Sequence, residues 1–414
     1  AENVYSVRVS QSCPETPGQK TKEPFHIPLA IGLMDKNGND LLVSEEKGTK
    51  VLELRKPEET YTFRNIGEKP VLSFLRNFSA PVQVKSFQSR EELAFLLAHD
   101  SDLFTRWNAA SQLSESIILE TVQALQRDKL PSLDSCFIEA VGSNLRQTAG
   151  DKALLALAMQ LPAESYLAMQ MDVIDPVMLH HGREFVRSEL SKIFSREFHS
   201  LYEENKESGK YQISPEAMGK RALKNMALSY LMAGESTSDE YLTLCVNQYY
   251  CQANMTDTIA ALSSINNVAG SQREEILEDF YTTWKHDPLV IDKWFTMQAV
   301  SSLEGTLEKV MQLMHNPSFS IKNPNKVRAL IGAFGVGNHF RFHDISGSGY
   351  TFLADRIIEL DSFNPQIAAR LVSPLTTWKR YDSQRQNLMC AQLKRILAAD
   401  SISGEVFEIV KKSL

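Results

Sequence analysis

The 414-residue chain lacks most of the signs that announce a function directly. It holds five cysteines, Cys13, Cys136, Cys245, Cys251 and Cys390, and no CxxC. So odd and sparse a set excludes a disulfide framework and predicts reduced thiols in a cytoplasmic setting. Cys245 and Cys251 fit no common zinc spacing. No apolar run approaches the length of about 18 residues that a membrane span needs, so no membrane partner is expected. The first residues, AENVYSVRVSQS, contain neither a basic leader nor an apolar signal core. They enter a strand pattern at once, as a piece cut from a longer protein would. A basic excess is missing as well: 44 Lys and Arg stand against 51 Asp and Glu, a net charge of −7. That balance excludes nucleic acid as the main partner.

Catalytic signatures are equally scarce. There is no GxSxG elbow, no Walker GK[ST], and no GxGxxG loop after a strand. His339 and His343 have the spacing of a zinc-binding helix, but HFRFH places Phe340 where a zinc peptidase needs its glutamate. His180 and His181 are adjacent, so on a helix their rings diverge. SGSGY, residues 346–350, reads as a turn and helix start. No catalytic residue and no metal ligand is assigned to this chain.

What is present is a change of period. Up to residue 88 the chain alternates as β: Tyr5, Val7 and Val9; Ile27, Leu29, Ile31 and Leu33; then Val51–Leu54, Thr60–Phe63, Val71–Leu75 and Val82–Val84. Asn37–Gly38 supplies a hairpin turn. Six or seven short strands predict a small β-sandwich over residues 1–88. At Ser89 the sequence SREE forms a capping box before LAFLLA, and helical spacing then runs to Leu414. Segments such as 102–125, 151–161, 175–202, 214–233, 325–334, 348–360 and 385–399 read as helices. Residues 89–414 are therefore expected to form a large all-α, superhelical, solenoid-like domain. No fixed period supports tetratricopeptide or ankyrin repeats. Met-rich and aromatic stretches such as SYLMAGE, KWFTMQA and LEKVMQLMH read as core, and KWFTMQ and WKRYD as possible sites of cation–π packing.

One helix offers more. In FNPQIAARLVSPL, Asn364 can cap, Pro365 suits the first helical position, and Ile367, Leu371 and Leu375 form an apolar set. Gln366 and Arg370 are four apart and share the other face. An amide beside a guanidinium can grip a carboxylate or a peptide carbonyl, or it can simply be a solvated surface. Both readings stand on spacing alone.

Several longer blocks carry a resemblance. FSAPV (78–82), FTRWNAA (104–110), ANMTDTIAALS (253–263), LVIDKWFTMQA (289–299), NPNKVRALIGAF (323–334), DISGSGYTFLADRI (344–357) and NPQIAARLVSPL (364–375) occur in the order and spacing of the two C-terminal domains of bacterial aminopeptidase N. The chain resembles that half of the family over nearly its whole length. The resemblance implies a parent zinc aminopeptidase, a hydrolase of the membrane-alanyl type. Its thermolysin-like catalytic domain, absent here, would be the main partner of this chain. It implies that zinc, the HExxH helix and the GAMEN loop belong to that absent part. This half would cap the catalytic domain and enclose the cavity for short peptides with a free N-terminus. By motif match, Gln366 and Arg370 would line that cavity as substrate-binding residues, and Arg328 would join them by packing or lining. A free-standing α-solenoid scaffold binding a protein partner is the alternative from another class.

Overall fold

Alternation in the first segment folds into five strands: β1 (Val4–Ser10), β2 (Ile27–Met34), β3 (Lys50–Leu54), β4 (Glu58–Arg64) and β5 (Val71–Phe74). The computed structural model describes residues 3–41, 48–85, 88–146, 150–207, 209–234 and 238–414. β1 pairs antiparallel with β4, and β2 lies between β3 and β5. Val7 and Phe63 from the first sheet share a core with Leu29, Ile31, Leu33, Leu52 and Leu54 from the second. Two sheets thus close over one apolar layer, the small sandwich that the alternation predicts. The Asn37–Gly38 turn forms with Gly38 at φ 87°, and the Asp35 carboxylate accepts from the Asn37 and Asn39 amides. Val82–Val84 is not a strand. Pro81 cannot donate to a ladder, and Val82 and Val84 are left exposed.

The second face of β2 is buried as well, and a charge lies against it. The Arg76 side chain is only 1% exposed. Its guanidinium donates to Ser73 Oγ at 2.8 Å, Thr49 Oγ1 at 3.2 Å, Asp40 Oδ1 at 2.7 Å and Asp100 Oδ1 at 3.0 Å. Gly32 makes the room: a Cβ there would stand 2.1 Å from Arg76 Cζ. Asp100 is the C-cap of the helix Arg90–His99, so the guanidinium ties the sheet to the first helix after it. Around it the backbone is strained. Leu75, Asn77 and Phe78 have φ of 59°, 54° and 50°, the left-handed region in which side chains crowd the backbone. The Asn77 amide donates to Asp102 Oδ2 at 3.0 Å, which helps to hold that conformation.

Helices begin where the caps predict. Ser89 and Glu92 complete the capping box. Asp175 precedes Pro176, and Ser214 precedes Pro215. The expected helix over 175–202 is two, Pro176–Ile193 and Ser195–Glu204, broken at Phe194 (φ −111°, ψ 24°). The larger departure lies at 325–334. There Pro324–Val327 is α-helical, but Arg328–Gly337 is a ten-residue π-helix. Ala329, Leu330, Ile331, Phe334 and Gly335 are buried along it. An apolar run read at a period of 3.6 cannot reveal the wider turn, because both helices bury most of such a sequence. Asn338 ends the π-helix. Its side-chain amide donates to Ala299 O at 2.9 Å and Ser301 O at 2.8 Å, and its oxygen accepts from the Arg341 amide. Gly347 (φ 73°) then starts the helix Ser348–Asp361, so SGSGY is a turn and helix start. Lys379 lies over Trp378 at 5.0 Å, whereas in KWFTMQ it is Phe295 that is faced by a cation, Lys326, at 5.8 Å.

The chain divides into two compact units. One comprises Ala1–Ile117, Leu133–Leu161 and Met218–Leu223; the other comprises Ile118–Ser132, Pro162–Ala217 and Lys224–Leu414. Strands and the helices that directly follow them share the first unit. The second is helical and contains a buried polar chain. His343, 3% exposed, meets the Tyr350 hydroxyl through Nδ1 at 3.0 Å and the Tyr381 hydroxyl through Nε2 at 3.0 Å. The Tyr381 hydroxyl also lies 3.4 Å from His339 Nε2. Arg385 donates to the His343 carbonyl at 2.8 Å and pairs with Asp382. Burial, then His339 and Arg385, hold His343 well below the ordinary histidine range; burial also lowers His339.

Two outcomes follow for stability. Arg76→Ala strands the buried Asp100 carboxylate and lowers the unfolding free energy by about 3–5 kcal/mol. Gly32→Ala, which displaces the same guanidinium, gives a comparable drop in the urea midpoint. An unchanged midpoint in both variants would remove the anchor from the account. The histidines set a pH dependence. Above an unfolded-chain pKa of about 6.5 neither state carries the protons, and stability is full. As pH falls below it, the unfolded chain gains protons that the folded chain refuses, so stability falls until the depressed folded values are reached. Between pH 7.5 and 5.5, His343 should contribute a loss of up to about 1.4 kcal/mol. Urea melts of the protein and of His343→Gln at both pH values check this, because the variant should lose less.

Candidate functional site

The helix Pro365–Leu371 forms where its cap predicts: the Asn364 side chain accepts from the Ile367 amide, and Pro365 occupies the first turn. Ile367, Ala368, Ala369 and Leu371 are buried, and this fixes the opposite face. Gln366 and Arg370 are both exposed there, one turn apart. Among the described residues neither has a hydrogen-bond or ion-pair partner. A folded protein that leaves a guanidinium and an amide unpaired on one face has donors and an acceptor ready for a ligand or for water.

Arg328 opens the π-helix and is also exposed. Its guanidinium is turned back onto its own turn, donating to Asn325 Oδ1 at 2.7 Å and Pro324 O at 3.2 Å. The π-helix approaches the helix of Gln366 and Arg370 at Gly332. A Cβ added at Gly332 would lie 3.8 Å from Leu371 Cδ2 and 4.0 Å from Arg328 Cβ. The three selected residues thus stand on two helices that approach each other at Gly332 and Leu371. No direct bond links their side chains.

The histidines give no metal site. Both ring nitrogens of His343 are engaged by tyrosine hydroxyls, which leaves no lone pair for a cation. His180 Nδ1 meets Glu164 Oε1 at 2.7 Å, and its ring stacks on Phe340 at 4.1 Å. Among the described residues no group of three or more His, Cys, Asp or Glu could hold a metal ion. The described residues therefore offer no ligand set for a zinc ion. Cys245 is buried and Cys251 exposed, and both are free thiols. No helix of the described residues is long and apolar enough to cross a membrane.

The sequence reading missed a concave place. A cavity of about 480 Å³ is lined by Tyr202, Lys210, Lys224, Glu240, Cys251 and Asp257, among others. In it Lys224 Nζ donates to Asp257 Oδ2 at 2.7 Å, with both side chains more than nine-tenths buried. Asp257 also accepts from Asn225 Nδ2 and Asn254 Nδ2, each at 2.9 Å. The one available signal was the N-cap pattern of Asn254 and Asp257. Nothing in local sequence pairs them with a lysine 33 positions upstream.

Comparison with known proteins places the chain. Residues 1–87 match the family model described as a domain of unknown function, DUF3458, with an Ig-like fold; residues 90–414 match DUF3458_C, described as ARM repeats. The chain is 36% identical to a protein named aminopeptidase N of Escherichia coli (strain K12) over 414 residues, which is 99% of this chain and 47% of that protein. It is 34% identical to aminopeptidase N of Haemophilus influenzae over 415 residues, 100% of this chain and 47% of that protein. For the protein of that name from Caulobacter vibrioides, identity is 37% over 385 residues, 93% of this chain and 44% of that protein. Among solved structures, Legionella pneumophila aminopeptidase A in complex with aspartic acid superposes with a TM-score of 0.84 at 30% identity, covering 99% of this chain and 47% of that one. The chain thus spans just under half the length of the curated relatives it matches. It belongs to the family that joins the DUF3458 Ig-like domain to C-terminal ARM repeats, and it corresponds to the C-terminal part of bacterial proteins named aminopeptidase N.

Proposed function

We propose that this chain is the C-terminal portion of a zinc-dependent, cytoplasmic aminopeptidase that removes N-terminal residues from peptides. It would divide into the two domains expected from sequence, 1–88 and 89–414. Its role there would be to cap a separate, thermolysin-like catalytic domain, enclose the substrate cavity, and offer peptide contacts from Gln366, Arg370 and, secondarily, Arg328. The observation that carries this reading is the likeness to proteins named aminopeptidase N along 99% of the chain. The exposed pair on the helix Pro365–Leu371 adds a chemical reason. A guanidinium attracts the carboxylate end of a short peptide, and the amide of Gln366 can both donate to and accept from a peptide unit. Zinc, when bound in the parent enzyme, would polarise the scissile carbonyl and activate water. No step through it is assigned to residues of this chain, whose own part is to position the peptide and exclude folded proteins by size. Neither nucleic acid nor a membrane is needed as a partner.

Arg370→Ala in the full-length enzyme should raise KM for a tripeptide roughly tenfold, the loss of one charge-assisted contact. It should leave turnover of a small chromogenic amide nearly unchanged, because that substrate has no distant carboxylate. Arg328→Ala should do less, since its guanidinium already has acceptors on its own turn. Equal effects of Arg370→Ala on both substrates would remove the peptide contact from the proposal. For the isolated chain, the expected outcome is no stoichiometric zinc by elemental analysis and no cleavage of an alanine anilide. Chelator-sensitive cleavage would place the chemistry in this chain instead.

A further inference from the structure

We infer that the cavity containing Lys224 and Asp257 binds a free α-amino acid. Its volume of about 480 Å³ falls in the range of about 300–1,000 Å³ in which proteins hold small ligands. Two groups of its buried lining are not fully matched: Gln248 Oε1 has no hydrogen-bond partner, and Lys224 has hydrogens to spare. Asp257 is saturated, with Lys224, Asn225 and Asn254 all donating to its two oxygens. Lys224 is not. An ammonium has three hydrogens, and only the one given to Asp257 has an acceptor among the described residues. Lys224 is 6% exposed, so the two remaining hydrogens have little access to bulk water. Buried donors left without acceptors are costly, and an oxygen ligand in the cavity would relieve that cost.

A simple anion is a poor solution, because Asp257 already cancels the charge of Lys224. A further negative charge beside that pair would be answered only by the exposed Lys206 and Lys210 of the lining. A zwitterion brings its own counter-charge. Its carboxylate can take the free hydrogens of Lys224, while its ammonium is held by a carboxylate further out. Glu240 supplies one: it lines the same cavity, is exposed, and has no ion-pair partner among the described residues. Tyr202 and Leu244 on the walls leave apolar surface for a side chain. Free amino acids are also what an aminopeptidase releases, but the inference rests on the cavity alone and stands whether or not the peptidase reading holds.

Cys251 makes this testable. It is an exposed free thiol on the cavity wall, and Cys13, also exposed and free, serves as an internal control. Alkylation by N-ethylmaleimide is followed at each cysteine by peptide mass spectrometry on the full chain. L-Alanine or L-leucine at millimolar concentration should slow labelling of Cys251 saturably and leave Cys13 unaffected. Acetate or methylamine at the same concentration should not. Glu240→Gln, a surface change, should raise the half-protecting concentration about threefold or more, the range of one exposed ion pair. Asn247→Trp, on the exposed part of the lining, should abolish protection while circular dichroism stays unchanged. Identical Cys251 labelling with and without amino acid would overturn the assignment. So would acetate protecting as well as alanine, which makes the place a carboxylate hole, or an unaltered half-protecting concentration in Glu240→Gln.

Discussion

Arg76 is the contact on which the first unit depends. A guanidinium taken out of water must find acceptors for its donors, and here these come from two loops, a strand end and a helix C-cap. That requirement explains features that otherwise look unrelated. It accounts for a glycine at position 32, where any side chain would occupy the guanidinium's place. It accounts for Asp100 staying at a C-cap although burial raises its pKa and its Oδ2 has no partner. It also supplies the restraint that keeps Leu75, Asn77 and Phe78 in left-handed conformations, each of which costs about 1–3 kcal/mol. With the backbone so held, Phe78 faces outward, 54% exposed, with its ring 5.2 Å from Phe104.

The helical unit treats polarity differently. Around His343 its buried polar groups bond to one another, although His339 Nδ1 has no hydrogen-bond partner. His343 is held uncharged between two tyrosines, and the Asn338 amide closes the end of the π-helix. Donors without acceptors stand at two places: Arg370 on an open helix face, and the spare hydrogens of Lys224 in a cavity. A protein of net charge −7 that leaves these donors without acceptors has two places suited to carboxylate-bearing ligands. They differ in kind. Arg370 is solvated and can act at long range, whereas Lys224 is desolvated and can discriminate.

Much of the architecture was legible. Strand alternation marked all five strands, and β2 is the plainest case. Cap residues marked helix starts at Ser89, Asp175, Ser214 and Asn364 to within a residue. Local chemistry decides these, since a side chain either accepts from an amide two or three residues on or does not. The face of Gln366 and Arg370 was legible for the same reason: periodicity puts Ile367 and Leu371 inward and leaves the pair outside. Read without the resemblance, though, the spacing could not tell a ligand wall from a solvated face. Failures came where two local readings bury the same residues. RALIGAFGVG satisfies a π-helix as well as an α-helix, and Val82–Val84 alternates without any ladder to join.

The sequence by itself determined element type, helix starts, the turn from β to α at Ser89 and the family likeness, because each rests on contacts within a few residues or on long blocks of order. Only the tertiary structure decided that Gly32 exists for Arg76, that His343 bridges two tyrosine hydroxyls, and that Lys224 meets Asp257 in a cavity. Those pairings span 44, 38 and 33 positions. No local preference encodes them. They form because a buried charge or imidazole must find a partner, and which partner is within reach is settled by how the helices and strands pack.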